Sequence, residues 1–479
     1  MTSSSRQLFA RNTTYLFIAQ IITKILGFIS GILLANYLGV ENFGLYNFVI
    51  SFGALLIPFL DLGVDTAFIK DVASLEDHDV PPVGTLLLLK LIISISVFIV
   101  SLFIVPMVVE PNQLTYVFLG ILITLLRTYS GSFSAIVRGK NRMDIESNIQ
   151  VSLKVFEISG VLAAFFLKVD IETLLIFITF SSILQLIYAA ILLGGNGFFK
   201  KIHIDLSLIK KMMRSGIPFA LTGISVALYF QMNTVLLKYL ADEKTVGLYR
   251  SAYNLILPFT AFSASIVVAL FSMIAKVYRQ EHEEAISYAR TSVFYSLLFA
   301  LPLAFGGTVI AKPLISLLYP ESYSAAALTF QICVWWLPVV YITNILGHIL
   351  GSINKQRYVF YISFGNAVFN IAANLILIPV YADKGAATAN VLTESIGLII
   401  SSTVVLKVFG NIYNLIRLSK LLLANVGIFI LFFFTDLMNI FVLILSGIGI
   451  YISLLFILRV ITRQDVSQIL NIFRKPKII

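Results

Sequence analysis

The chain has 479 residues, of which 59% are hydrophobic and 12% are charged, and its mean hydropathy is +0.95. These values exclude an ordinary soluble globular domain. The formal net charge of +10 does not indicate nucleic-acid binding, because the basic residues are spread over many short loops. The composition therefore predicts a polytopic membrane protein.

About fourteen apolar segments are long enough to cross a membrane as helices, which takes roughly 20 mostly apolar residues each. The first is too long for the core of a signal peptide, so we expect it to stay as helix 1. Because the chain consists largely of such helical spans, the predicted fold class is all-α. The spans are predicted near residues 12–38, 44–66, 84–106, 113–137, 145–167, 172–195, 215–237, 246–273, 291–311, 323–350, 358–380, 385–407, 419–436 and 439–458.

The distribution of lysine and arginine predicts the orientation of these spans. With the N-terminus inside, about 24 of these residues fall in segments that face the cytoplasm, about 6 in the opposite loops and about 4 inside helices. This bias predicts that both termini lie in the cytoplasm and that the number of spans is even, and we expect the protein in the cytoplasmic membrane. No loop is long enough to form a separate catalytic domain, and we predict no enzymatic activity.

Two segments of the chain resemble one another. LLANYLGVENFGLYNF begins at Leu33 and LLKYLADEKTVGLYRS begins at Leu236, and both contain Tyr-Leu followed by Gly-Leu-Tyr at an offset of about 202 to 203 residues. Such a repeat predicts two pseudo-symmetric six-helix lobes related by an axis along the membrane normal. The predicted parts are an N-terminal lobe at 1–196, a cytoplasmic interfacial linker at 197–214, a C-terminal lobe at 215–408, and helices 13 and 14 with a basic cytoplasmic tail at 409–479.

Three motifs carry a resemblance to a known family. The first is K-x-L-G-F-x(8,9)-Y-L-G-x-x-x-F-G-x-Y from Lys24 to Tyr46, the second is DLGVDTAFIKDVA from Asp61, and the third is FNIAANLILIPVYADKGAATANVLTE from Phe369. They resemble the polysaccharide and oligosaccharide (Wzx-type) flippases of the multidrug/oligosaccharidyl-lipid/polysaccharide (MOP) exporter superfamily. The resemblance implies that a polyprenyl-(pyro)phosphate-linked oligosaccharide is moved across the membrane by alternating access, for cell-surface polysaccharide biosynthesis.

The resemblance also bears on the cargo. The peptidoglycan-precursor flippases, a sister group, carry a cation at the position matching Lys24. They typically add a charged pair shortly after it, where this chain has Ser30 and Gly31. This departure argues against lipid II as the cargo.

Several basic residues lie inside the apolar segments, where a central Lys or Arg costs about 2.5 to 3.5 kcal/mol and normally faces a bundle interior or a wet cavity. An anionic pyrophosphate or acidic sugar needs fixed positive charges to replace its hydration. The candidates for this substrate-binding role are Lys24, Arg127, Lys154, Arg250 and Lys90.

Four of these five cations also have a purely structural interpretation. Helix-end carbonyls or a carboxylate could satisfy Lys24, and Arg127 could anchor one helix to another through backbone carbonyls. Lys154 and Glu157 share one helix face at a spacing of three and could neutralise each other. Lys90 lies about six residues from the cytoplasmic end of its span, within reach of snorkelling.

Three acids are candidates for coupling transport to H+ or Na+, because a carboxylate in a partly dry place titrates as a cavity opens and closes. They are Glu394, Glu157 and Asp61. The alternatives are a hydrogen-bonded helix contact for Glu394 and a helix-end carboxylate for Asp61.

Two other functions fit parts of the sequence. A cation-coupled multidrug antiporter of the same superfamily would share the fold, although its usual cationic cargo favours acids where this chain has Lys24. A membrane-bound glycosyltransferase or polymerase is prompted only by the triplet Asp77 to Asp79 in EDHD, a pattern common in polar loops.

The remaining expectations concern partners. Cys333 is the single cysteine, so neither a disulfide framework nor a thiolate metal cluster can form within one chain. We expect no cofactor, no metal and no nucleic acid. The expected partners are membrane lipids and other polysaccharide-assembly proteins.

Overall fold

The computed structural model describes residues 3–73, 82–199, 203–263, 274, 277–278, 281–433 and 439–461, and these are almost entirely helical, with no strand among them. Fifteen α-helices have bounds within these ranges. They are α1 (Ser3–Ala54), α2 (Ile57–Asp61), α3 (Val64–Ala73), α4 (Val83–Val108), α5 (Leu114–Gly139), α6 (Met143–Leu167), α7 (Ile171–Gly195), α8 (Ser207–Leu240), α9 (Glu243–Ile256), α10 (His282–Leu318), α11 (Ala326–Cys333), α12 (Trp336–Ser352), α13 (Gln356–Val408), α14 (Leu415–Phe433) and α15 (Ile440–Ile457).

Eleven helical stretches in the described part of the chain are long and apolar enough to cross a membrane. For example, α4 has 26 residues, and it therefore extends about 39 Å, compared with about 30 Å for the hydrocarbon core of a bilayer. The prediction of an all-α polytopic membrane protein is thus confirmed. The number of fourteen spans stays a prediction, and the span expected at 246–273 lies partly outside the described residues.

The two longest helices are each interrupted by one residue with a non-helical backbone. In α1 this residue is Gly39 (φ 71°, ψ 171°), and in α13 it is Ala382 (φ 52°, ψ −126°). Each interruption falls between two predicted spans, so α1 and α13 each consist of two helical segments. Glycine tolerates a positive φ because it has no Cβ, whereas alanine there is strained.

The structure contains two compact units. One comprises Met1–Pro258 with Ala367–Ala386, and the other comprises Phe259–Asn366 with Ala387–Ile479. In the first unit, Phe68, Ile93 and Phe133 belong to a buried hydrophobic cluster. The second unit has its own cluster, which includes Leu346. The lobes expected at 1–196 and 215–408 stay a prediction.

Within the first unit, the two similar segments pack against each other at glycines. A Cβ on Gly44 would overlap the carbonyl oxygen of Glu243, and a Cβ on Gly247 would overlap the carbonyl oxygen of Val40. Gly247 follows Gly44 by 203 residues, and Glu243 follows Val40 by the same 203. The contact is therefore reciprocal, which is the arrangement that a local two-fold axis between two copies produces.

We expect Gly44→Ala to weaken this contact. The added methyl group meets backbone and cannot be accommodated by a side-chain rotation, so the free energy of unfolding should fall by about 1 to 3 kcal/mol. The melting temperature of the purified protein in detergent measures this effect. Gly27→Ala is the matched control, because it lies in the same helix with nothing within 4 Å of a built Cβ. Equal melting temperatures for the two variants would show that the close contact at Gly44 does not contribute to stability.

Candidate anion-binding site

Arg127 and Lys154 share one carboxylate, that of Glu157. Arg127 Nη2 on α5 and Lys154 Nζ on α6 each lie 3.0 Å from Glu157 Oε2, and the Glu157 side chain is only 10% exposed. The ion pair that the spacing of Lys154 and Glu157 suggested is therefore present, but Arg127 joins it from a neighbouring helix. Arg127 Nε is buried and has no hydrogen-bond partner. Two cations on one acid leave an excess of positive charge.

Lys24 adds to this excess from α1, which packs against α6. Its side chain is exposed, and the charged group of the described residues that acts on it is Lys154, another cation. The carboxylate partner considered for Lys24 from the sequence is therefore not found in the described part of the chain. Two like charges that approach one another in an apolar setting favour an anion between them.

Arg250 approaches the same region from α9. Its Nε donates a hydrogen bond to Asn47 Oδ1 at 3.0 Å, and its guanidinium carbon lies 6.0 Å from the ring centroid of Tyr253. Tyr46, which is buried, interacts electrostatically with Arg250, Arg127 and Glu157. Arg250 therefore belongs to the electrostatic neighbourhood of Arg127.

We call Lys24, Arg127, Lys154, Arg250 and Glu157 the cationic cluster. It combines four cations with one carboxylate on α1, α5, α6 and α9. A cluster with this balance suits a ligand that carries two or more negative charges. Lysine acts as a mobile point charge, whereas arginine can bind two oxygens at once.

Lys90, the fifth candidate cation, lies elsewhere. Its side chain is 0% exposed, and its Nζ is 2.8 Å from Asp61 Oδ1 and 3.2 Å from Asp65 Oδ2. Lys90 therefore does not snorkel. Asp61 is the last residue of α2, as the helix-end interpretation expected, but it also binds this lysine. Asp65 was missed from the sequence; it lies four residues beyond Asp61, across the turn that separates α2 from α3.

Glu394 lies in the second unit and accepts a hydrogen bond from the hydroxyl of Thr343. It is buried, with 7% of its surface exposed. This contact joins α12 to α13 and matches the structural interpretation of Glu394. A coupling role for Glu394 stays a prediction.

A further polar network, missed from the sequence, joins the turn before α5 to the turn before α9. Lys238 Nζ lies 2.6 Å from Glu243 Oε1, which also accepts a hydrogen bond of 2.8 Å from Gln113 Nε2. Burial alone would raise the pKa of Glu243, but its bonds with Lys238 and Gln113 hold that pKa below its ordinary value. The network stabilises the end of α9 that carries the reciprocal glycine contact.

The remaining candidates concern metals and catalysis. Within the ranges that the structure describes, no group of three or more His, Cys, Asp or Glu is placed to hold a metal ion. The triplet Asp77 to Asp79 lies outside those ranges. Cys333 is buried in the second unit.

Long apolar helices that carry a cluster of cations around one buried carboxylate define a polytopic helical membrane protein, and comparison with known proteins narrows this class. The family described as "Polysaccharide biosynthesis protein" matches residues 9–278, and the MatE family matches residues 218–376. The first match covers more than half of the chain. The chain therefore belongs to the polysaccharide biosynthesis protein family, within the MOP superfamily that its motifs indicated.

Two relatives are similar in sequence. An uncharacterized membrane protein of Methanocaldococcus jannaschii is 29% identical over 260 residues, 52% of this chain and 49% of that protein, so the match spans about half the length of that relative. The probable low-salt glycan biosynthesis flippase Agl15 of Haloferax volcanii is 24% identical over 469 residues, 93% of this chain and 94% of that one.

Two solved structures share the fold. The lipid II flippase MurJ in an inward closed conformation has a TM-score of 0.77 at 18% identity, over 94% of this chain and 99% of that one. A multidrug resistance MATE family transporter in an inward-facing conformation has a TM-score of 0.61 at 14% identity, over 82% of this chain and 94% of that one. At these identities the similarity establishes the fold alone.

We expect Glu157→Gln to destabilise the cationic cluster. The substitution keeps the shape of the side chain but leaves Arg127 and Lys154 without their counter-charge, so the free energy of unfolding should fall by about 2 kcal/mol. The melting temperature in detergent should drop accordingly, and inorganic pyrophosphate should raise it more in this variant than in the wild type. Glu157→Asp, which keeps the charge, is the control. A variant as stable as the wild type, with no response to pyrophosphate, would refute the assignment.

Proposed function

We propose that the protein is a flippase that moves a polyprenyl-(pyro)phosphate-linked oligosaccharide from the inner to the outer leaflet of the cytoplasmic membrane, by alternating access. The observation that carries this proposal is the excess of cations over acids in the cationic cluster. The cargo would carry its charge on the phosphate groups or on an acidic sugar. The product would serve cell-surface polysaccharide biosynthesis.

The charge balance supports an anionic cargo for a physical reason. A phosphate is strongly hydrated, and losing that hydration in a passage of low dielectric constant costs many kcal/mol unless charges in the protein replace it. Lys24 and Arg127 would engage the phosphate or acidic sugar, with Lys154 and Arg250 beside them. Charge-assisted hydrogen bonds of this kind are roughly twice as strong as neutral ones.

The relatives support the same class of cargo. The Haloferax protein is named as a probable flippase of glycan biosynthesis, and the solved neighbour is named as a lipid II flippase. Both names describe flippases. This chain, however, has Ser30 and Gly31 where the peptidoglycan-precursor flippases add charges, so we propose a cargo other than lipid II.

A multidrug antiporter is the second candidate, favoured by the MatE match and by the MATE transporters of similar fold. The cationic cluster argues against it, because a cationic drug would be repelled by an excess of positive charge. The two functions therefore predict opposite effects of charge reversal at Lys24 and Arg127.

Transport would be coupled to H+ or Na+ through intramembrane acids. Glu157 is held by two cations and would be released from one of them when an anionic cargo binds the cluster. Other polysaccharide-assembly proteins and membrane lipids are the proposed partners. The prenyl chain would stay between helices that face lipid.

Lys24→Ala should abolish or strongly reduce transport. Losing one charge-assisted contact costs about 1.5 to 3 kcal/mol, so we expect the rate of glycan appearance in the outer leaflet to fall at least about tenfold. The measurement is complementation of a deletion strain, with lipid-linked glycan quantified on the inner and outer faces of the membrane. We expect the deletion strain to accumulate the glycan on the inner face.

Lys24→Arg, which keeps the charge, is the matched control and should retain most of the activity. The double reversal Lys24→Glu with Arg127→Glu separates the two candidate functions. Glycan export should fail in it, whereas a drug antiporter would keep or increase its drug resistance. Full complementation by Lys24→Ala would overturn the proposed function.

We further propose that both termini lie in the cytoplasm, and single-cysteine variants test this. In a Cys333→Ser background, Asn112→Cys lies before α5 on the proposed outer side, and Lys210→Cys lies in the first turn of α8 on the inner side; both positions are exposed. A membrane-impermeant maleimide should label Asn112→Cys in intact cells, and Lys210→Cys only after lysis. The reverse pattern would invert the topology.

A further inference from the structure

A second cluster of charged side chains lies outside the cationic cluster, on α2, α3, α4 and α5. Lys90 is its fully buried centre, bound to Asp61 at 2.8 Å and to Asp65 at 3.2 Å. Asp65 Oδ1 also accepts a hydrogen bond of 2.9 Å from Ser132 Oγ. We call Lys90, Asp61, Asp65 and Ser132 the acidic cluster.

The acidic cluster has the opposite charge imbalance to the cationic cluster. With both aspartates ionised it carries one net negative charge, although the Asp61 and Asp65 side chains are only 25% and 19% exposed. Two carboxylates that share one site rarely both ionise, because each raises the proton affinity of the other. One bound proton makes the cluster neutral.

In the described part of the chain, the groups that face Asp65 from the surrounding helices supply no second counter-charge. The charged groups that act on Asp65 are Lys90 and Asp61. On α5, the hydroxyl of Tyr129 donates to the carbonyl oxygen of Leu87. On α8, Lys211 Nζ lies 3.6 Å from Asp71 Oδ2. This lysine therefore pairs with an acid six residues beyond Asp65 on α3.

The two aspartates flank a turn. Asp61 ends α2 and Asp65 lies in the first turn of α3, and Leu62 (φ 48°) and Gly63 (φ 69°) between them have positive φ. Asp61 Oδ1 also accepts a hydrogen bond of 3.3 Å from the backbone N–H of Asp65. The charge of Asp61 therefore acts directly on the conformation of this turn.

The Leu62–Gly63 turn also packs against the backbone of α8. A Cβ on Gly63 would overlap the carbonyl oxygen of Gly216, and a Cβ on Gly216 would overlap the carbonyl oxygen of Leu62. Backbone therefore meets backbone with no side chain between to absorb a shift. A change in the turn must be transmitted to α8.

We propose that Asp61 and Asp65 together bind one proton, with Lys90 as their fixed counter-charge, and that its release changes the position of the Leu62–Gly63 turn against α8. The step is a simple transfer: on binding, a carboxylate takes a proton from hydronium and leaves water, so the net charge of the cluster changes from one negative charge to zero, and release returns the proton to water as hydronium. The use of this step in transport rests on the function proposed above, whereas proton binding itself does not.

Infrared titration tests the proposal without a substrate. The full-length protein is labelled with isotopic aspartate, placed in lipid nanodiscs and titrated from about pH 5 to about pH 9, where carboxyl groups of raised proton affinity ionise. The wild type should show one protonated aspartate whose absorption disappears within this range. Asp65→Asn and Asp61→Asn should each abolish it, because the remaining acid then faces Lys90 alone and stays ionised.

Lys90→Met gives an effect of opposite sign. Without its counter-charge the pair should hold the proton more tightly, so the midpoint of the titration should rise by at least about one pH unit. Asp71→Asn is the matched control, because Asp71 lies on the same helix in a more exposed ion pair, and it should leave the absorption unchanged.

Three results would overturn the proposal: no titrating aspartate in the wild type, an absorption that persists in both asparagine variants, or a midpoint that falls in Lys90→Met. The spectra need no cargo. A negative result here therefore leaves the flippase proposal standing, and full complementation by Lys24→Ala leaves the proton site standing.

Discussion

An ionised side chain inside an apolar helix bundle has to be paired or hydrated, and this constraint organises the first unit of the structure. Glu157 is paired with two cations, so this group of three side chains carries a net positive charge. Lys90 is paired with two carboxylates, so this group carries a net negative charge when both are ionised. The two imbalances are the observations that support the two proposals, an anion at the cationic cluster and a proton at the acidic cluster.

The reciprocal contact of Gly44 and Gly247 explains why residues about 200 positions apart reach the same cluster. The absence of side chains on both glycines lets α1 and α9 approach backbone to backbone. Asn47 and Arg250 each lie three residues further along their helix, and Arg250 Nε donates a hydrogen bond of 3.0 Å to Asn47 Oδ1. One copy of the repeat therefore contributes the cation and the other contributes its hydrogen-bond acceptor. The position of Arg250 depends on the glycine contact as much as on its own bond.

The sequence was sufficient to predict the helical membrane class, the repeat and the pairing of Lys154 with Glu157, because hydropathy and spacing within one helix are local properties. It was not sufficient to predict that Arg127 shares Glu157 or that Lys90 binds two aspartates. Those contacts join different helices, and their geometry depends on packing that a single sequence does not record. Asp65 meets Lys90 beside Asp61 only because of the turn between α2 and α3, and nothing in the local sequence marks Ala382 as the interruption of α13.

The two clusters would act on the surrounding helices in different ways. In the cationic cluster, an arriving anion would compete with Glu157 for Arg127 and Lys154, so cargo binding would weaken the ties between α5 and α6. In the acidic cluster, proton release would act on the turn that touches α8 at Gly216. Helix α5 takes part in both clusters. Its Ser132 binds Asp65 and lies five residues from Arg127 on the same helix. A shift of α5 caused by cargo would therefore change the surroundings of the bound proton, and by thermodynamic reciprocity the proton would change the affinity for cargo.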